Sequence, residues 1–259
     1  MSKKGGKSHV PQEEIPQPKT ELQAMLTDAK KSALEKYNNV VIGSSSIWFL
    51  VKYEIITGVL GSLPGALGLM LRGVFFKSLL GKVGSGVVFG RNVVLRHSQK
   101  IYLGNNVIIE DNCVIDAKGE SNRGISIGNN VMIGRNSILS CKNGDLNIGD
   151  NTIITLNSYI QSAKRVDIGK NVGIGAYCFI IGGGEHEMSR TDIPILAQGQ
   201  IIKGITIEDN AMIGTGAKVK DGITIGRDAF VGAGALVTKS IPEFSVAVGV
   251  PAKVIRKRK

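Results

Sequence analysis

Aromatic residues are scarce in this chain, at 5% with one tryptophan, and so are cysteine and histidine. Three cysteines, Cys113, Cys141 and Cys178, are an odd number without metal-ligand or redox spacing, which argues against a disulfide framework and fits a reducing compartment. Long apolar runs are missing as well. The longest uncharged stretch, Ile55 to Leu71, falls short of a spanning helix and is interrupted by four glycines and Pro64, so no transmembrane segment is expected. The N-terminus, MSKKGGKSHVPQEE, leads into proline and acidic residues rather than an apolar core and does not read as a secretory signal. The expected location is cytoplasmic, with a peripheral position at the inner face of the membrane left open by the apolar residues 40–80.

Glycine is abundant, 34 of 259 residues, nearly twice the usual share, but without a collagen period. Many turns and a core of small and aliphatic side chains follow. Acidic residues are outnumbered 32 to 21, giving a net charge of +11, and part of the excess sits at the two ends. Such tails suit nucleic acid, an anionic membrane or a phosphorylated small molecule, or are simply solvated.

Four segments can be distinguished. Residues 1–19 read as a disordered basic tail that holds His9. Residues 20–80 read as a helical cap. A capping-box pattern at Thr20 opens a helix carrying Met25, Leu26, Ala29 and Ala33, and Asn38-Asn39 end it. After an ambiguous stretch 40–60, Pro64 starts a second helix with Leu67, Met70, Leu71, Val74, Phe75 and Leu79 on one apolar face. These helices either cover the open backbone edge of the next domain or lie on a membrane, helped by Arg72, Lys77 and Lys82. Residues 81–245 form the main domain, and 246–259 read as a basic tail.

In that main domain aliphatic residues, once phenylalanine, recur every six positions in runs of three, from Val83, Phe89, Leu95 to Ile225, Val231, Val237. A period of six fits neither a helix nor a long strand; it fits a short strand and a sharp turn, repeated. Gly-Asn-Asn, Gly-Arg-Asn and Gly-Asp-Asn follow the aliphatic residues and supply the left-handed backbone such turns need. Between runs the spacing is 8, 12, 9, 8, 27 and 6, whereas within a run it is always six. All insertions therefore leave from one corner of a triangular column of about seven coils. Cys113 and Cys178 occupy the small-residue slot of the hexad, as core fillers.

This hexad, and the ending VTKSIP…VGVPAKVI within 203–255, resemble the hexapeptide-repeat acyltransferases, among them bacterial galactoside and maltose O-acetyltransferases and those of surface-polysaccharide clusters. The resemblance implies an all-β, left-handed parallel β-helix, a parallel homotrimer and acetyl-CoA as donor. Met212 stands where members often carry Trp, and Glu208 where they often carry Gly. His186, in the long insertion GGGEHEMSRTDIPILAQG, occupies the position of the family's loop histidine, the general base that would deprotonate an acceptor hydroxyl. Either Glu185 or Glu187 would orient its ring, and Arg190 and Asp192 would grip a sugar or pair with each other. The matching donor turns are Gly214-Thr215 and Gly232-Ala233, followed by Thr238-Lys239, with Lys253 and Arg256 on the nucleotide phosphates. The glycines would serve the turns in any case.

The reading is acetyl transfer to a hydroxyl of a sugar or polysaccharide precursor, with a lipid-linked or membrane-proximal glycan as one candidate. Transfer to an amine is the alternative on the same fold, and a non-catalytic scaffold a weaker one. A three-histidine zinc centre is disfavoured. At about 4.8 Å per coil, His97 in the first coil and His186 after the fifth are offset by roughly 19 Å along the axis, so no metal is expected. Nucleic-acid motifs and interleaved aromatics are absent from the basic ends, so no nucleic-acid partner is expected.

Overall fold

The computed structural model describes residues 21–258. Thr20 and the 1–19 tail, with His9, lie outside the described residues. Four α-helices, α1 (Glu21–Thr27), α2 (Ala33–Tyr37), α3 (Ile47–Leu60) and α4 (Gly65–Phe75), precede a column of short parallel strands. The column has three faces: the first and third hold seven strands each, the second nine. Each face repeats once per coil, giving seven full coils and an incomplete eighth with the parallel stacking of a β-helix.

The hexads set this register. Val83 pairs with Leu103, and the ladder continues through Ile127, Ile148, Ile168, Ile207 and Ile225. Phe89 starts the second ladder and Leu95 the third, so like residues stack in line inside the column, nearly all fully buried. Two of the three corners are closed by one left-handed residue per coil, usually asparagine. At the first corner the side-chain amides bond in series, Asn106 to Asn130, Asn151, Asn171 and Asn210, at 3.0–3.1 Å. Asparagine is thus chosen for its tolerance of positive φ and for an amide that reaches the next coil. The cysteines fill the core; burial pushes the thiol of Cys113 up to about 11 and that of Cys141 up to about 12.

Each coil donates its N–H groups to carbonyls of the next, as Val88 does to Val107 and Val94 to Cys113, both at 2.9 Å. The first-coil carbonyls of Ser85, Arg91 and Arg96 accept from the second coil, whereas those of Phe89 and Leu95 face the open end, where the helices supply the donors they need. Tyr53 of α3 donates its hydroxyl to Leu95 O at 2.6 Å, and burial pushes its pKa to about 12. Arg72 of α4, only 2% exposed, donates Nε to Phe89 O at 3.1 Å and Nη1 to Leu60 O and Leu63 O. The expectation that Arg72 faces a membrane is corrected: a guanidinium with five donors ends the column. His97, buried and at φ 49°, turns away from the coil, donates its backbone N–H to Val41 O at 2.9 Å and sets Nε2 3.0 Å from Asn39 O. Its role is structural, and burial lowers its pKa.

Two boundaries differ from the sequence reading. The single helix expected up to Asn38-Asn39 is broken, because Ser32 and Glu35 form their own capping box, Ser32 N–H to Glu35 at 2.7 Å and Glu35 N–H to Ser32 at 3.2 Å. The stretch 246–259 is not a simple tail. Ser245–Val248 continues the second face, and Lys253–Lys257 folds back antiparallel on it, closing the far end. Among the described residues no single helix is long and apolar enough to cross a membrane.

Candidate active site

The third corner carries every insertion, and the longest is a flap over residues 183–204. Gly183 and Gly184, at φ 111° and 101°, lead the chain out of the fifth coil. A Cβ on Gly182 would stand 2.5 Å from Val166 Cγ2, and one on Gly183 2.6 Å from Ala163 Cβ, so glycine is required by space as well as by φ. Glu185–His186 then pairs antiparallel with Gln200–Ile201, a small two-stranded sheet that brings the flap back to the column. Gly204, at φ 99°, re-enters the sixth coil with a Cβ position 2.5 Å from Arg165 O.

His186 is half-buried in this sheet. Its Nδ1 lies 3.2 Å from the carbonyl oxygen of Gln198, an acceptor only, so Nδ1 carries the proton and donates. That leaves Nε2 with a lone pair, 3.4 Å from the side-chain amide nitrogen of Gln200, which can donate to it. The neutral imidazole is thereby held in the tautomer that a proton acceptor at Nε2 requires. Gln198 is 7% exposed and ties the flap together. Its Oε1 accepts from Arg190 N–H at 3.1 Å and its Nε2 donates to Arg190 O at 2.8 Å. At the flap's root Tyr159 donates to Gln161 at 2.7 Å, and Gln161 donates to Gly183 O at 3.2 Å.

Beside the flap a cavity of about 470 Å³ opens on the third face, walled by Phe179, Ile181 and Val219, with Glu185, Lys218 and Lys220 at its polar side. Glu185 pairs with Lys220 at 3.0 Å across this cavity. Glu187 donates its backbone N–H to Gly199 O at 2.7 Å. The contact that orients the ring is the Gln198 carbonyl. Arg190 and Asp192 pair with each other on the exposed tip, Nε to Oδ1 at 3.0 Å.

The residues expected to hold the donor lie elsewhere in the chain. Gly214-Thr215 and Gly232-Ala233 stack at the second corner, where a Cβ on Gly214 would meet Ala233 N at 2.5 Å. Thr238-Lys239 follows the last strand of the third face, and Lys253 and Arg256 stand exposed on the terminal antiparallel strand. Within one chain the second corner and the flap are on opposite edges of the third face. Glu208, in place of the family's frequent glycine, accepts Arg227 N–H at 2.7 Å and serves stacking; Gly173 leaves room for Met212, whose sulfur would lie 2.3 Å from a Cβ there. Sequence reasoning missed Gln198, Gln200, Gln161 and Tyr159. None obeys a spacing rule; the signal available was only polar residues beside the loop histidine and on the strand below it. Among the described residues no group of three or more histidine, cysteine or carboxylate side chains could hold a metal ion.

Comparison with known proteins agrees with the repeat and the fold. Residues 204–239 match the bacterial transferase hexapeptide (six repeats) model, and 106–141 and 124–162 match the hexapeptide repeat of succinyl-transferase. A probable acetyltransferase of Mycobacterium tuberculosis is 33% identical over 125 residues, 48% of this chain and 41% of that protein, so the chain spans well under half of its relative. Among solved structures, the polysialic-acid-specific acetyltransferase NeuO is 24% identical, with 69% of this chain and 82% of that one covered and a TM-score of 0.53. The polysialic acid O-acetyltransferase OatWY is 22% identical, with 68% and 82% covered and a TM-score of 0.54. At these identities the likeness to both structures is one of fold. Repeat, register and fold together make this chain a hexapeptide-repeat β-helix protein, whose repeats match the bacterial transferase hexapeptide model over residues 204–239.

Proposed function

We propose that the protein is an acyltransferase that moves an acetyl group from acetyl-CoA to a hydroxyl of a sugar or glycan, with His186 as general base. The observation that carries this reading is the His186 ring, with Nδ1 donating to the Gln198 carbonyl and Nε2 left to accept a proton, on a flap whose Gly183, Gly184 and Glu185 border the cavity. Phe179, Ile181 and Val219 suit the thioester arm of an acyl carrier, and Lys218 and Lys220 suit anionic groups beyond it. Acetyl as the acyl group is favoured by the name of the 33% identical relative, and a sugar acceptor by the names of the two fold neighbours.

The chemistry needs one base and one electrophile. Nε2 of His186 takes the proton of the acceptor hydroxyl as its oxygen bonds to the thioester carbonyl carbon. Collapse of the tetrahedral oxyanion breaks the carbon–sulfur bond, and the imidazolium returns the proton to the leaving thiolate. Backbone N–H groups of a neighbouring glycine turn would stabilise the oxyanion. Since the second-corner glycines of one chain lie across the third face from its own flap, the complete site would form between two copies, as in the homotrimer the resemblance implies.

Thiol release from acetyl-CoA is the test, measured over a panel of sugar hydroxyl and amino acceptors with the product identified by mass. Wild type is expected to acetylate a hydroxyl, and His186→Ala to lose about 10²–10⁴-fold in kcat/KM. Equal rates for the two proteins on every active acceptor would sink the assignment; product acetylated only on nitrogen would move the reading to an amine acceptor.

A further inference from the structure

The helices that cap the column have a second side. In α3 the residues Leu50, Tyr53 and Ile56 face the first coil and are buried. On the opposite side Trp48, Val51, Ile55 and Val59 follow at helical spacing and are exposed, Trp48 by 80%. In α4 the packed side is Gly68 and Arg72, and Leu67, Met70 and Val74 project the other way, each about 60% exposed. Of the apolar face read in the sequence, Leu67, Met70 and Val74 are thus on the outer side of α4, whereas Leu79 beyond it is buried. A helix that is apolar all round is normally covered on all sides. Here only one side is covered, and the other leaves apolar residues of both helices exposed, along a stretch, Ile55 to Leu71, that holds no charged residue.

Charge indicates what covers it. Residues 36–109 hold eight lysines and arginines and a single carboxylate, Glu54, which accepts a hydrogen bond from Tyr37. Lys52 in α3 and Lys77 and Lys82 just after α4 are exposed, Lys52 with its ammonium donating to Ser78 O at 2.7 Å. An apolar face with an exposed tryptophan and a cationic rim matches an anionic bilayer, apolar chains below and acidic headgroups at the edge. We infer that α3 and α4 dock the protein peripherally on an anionic lipid surface, inserting Trp48, Ile55, Val59, Leu67, Met70 and Val74. The helices do not cross the bilayer, because Tyr53 and Arg72 must stay on Leu95 O and Phe89 O to close the column. The inference stands independently of the chemistry at His186.

Trp48 is the only tryptophan, so its emission reports the face directly. The full chain is mixed with phosphatidylcholine vesicles with and without about 30% phosphatidylserine. Co-sedimentation and a blue shift of Trp48, quenched by brominated acyl chains, are expected on the anionic vesicles. Trp48→Glu with Ile55→Glu should weaken sedimentation at least about tenfold, and Lys77→Glu with Lys82→Glu should weaken it on anionic vesicles only. An unchanged thermal transition and unchanged thiol release on a soluble acceptor keep misfolding apart from lost docking. If the apolar double variant sediments as wild type does, or Trp48 shifts with protein concentration and no lipid, the surface is not a lipid-docking one; the second result would make it a contact between copies. Failure of thiol release with normal vesicle binding would count against the acyl-transfer reading alone.

Discussion

The three corners of the column share the same strands yet obey different rules. At the first two, one residue per coil turns the chain, and its position hardly varies: Asn106, Asn130, Asn151, Asn171 and Asn210 stack at the first corner with φ of 54–60°. At the third corner nothing stacks for long. It holds His97 in the first coil, the 183–204 flap after the fifth, and a short turn at Asp221-Gly222 after the sixth. Uniform corners bear the load of a ladder that must repeat; the variable one is free to carry a loop whose bonds are local, as those of Gln198 are.

The sharpest way to break that comparison is in the core. Ile154→Ala, between Ile133 and Ile174, should cost about 2–5 kcal/mol in denaturant unfolding, because the rungs above and below cannot close the gap. Next comes the corner ladder. Asn151→Ala loses the bonds to Asn130 and Asn171 and sets at φ 57° a residue that tolerates the left-handed region less well than asparagine, a cost of about 1–2 kcal/mol, whereas Asn151→Gly should restore the conformational part. At the third corner the sign of the comparison reverses. Gln198→Ala should leave the melting temperature nearly unchanged and lower kcat on the order of tenfold, since it frees the segment whose carbonyl holds His186.

The smallest expected effect concerns pH. Burial holds the His97 pKa below its ordinary 6.5, so the unfolded chain takes up that proton first as pH falls. Stability should be level above about pH 7 and decline from there towards pH 5. In His97→Asn the decline should be shallower, measured by urea unfolding at several pH values.

How far the sequence could be read follows the same division. Seven runs of three residues, aliphatic but for Phe89, specify the rungs of the seven full coils, but not the eighth rung of the second face, Ser245–Val248. The spacing also locates the variable corner and its histidine. What periodicity cannot show is a bond made once. Arg72 reads as a surface cation on an apolar helix, and only the open carbonyls of the first coil explain why it is buried. Ser32 and Glu35 carry the same capping pattern sought at Thr20, one helix later. The ring of His186 was expected to lean on Glu185 or Glu187; it leans on a main-chain carbonyl, and no residue type marks such a partner.

The central claim is that the flap presents Nε2 of His186 as a free base by engaging Nδ1. Nitrogen NMR of isotopically labelled histidine at neutral pH reads this directly, with the signal assigned by its loss in His186→Ala. The account predicts that the neutral form of the ring carries its proton on Nδ1 and is bare at Nε2. A neutral ring protonated at Nε2 would contradict it.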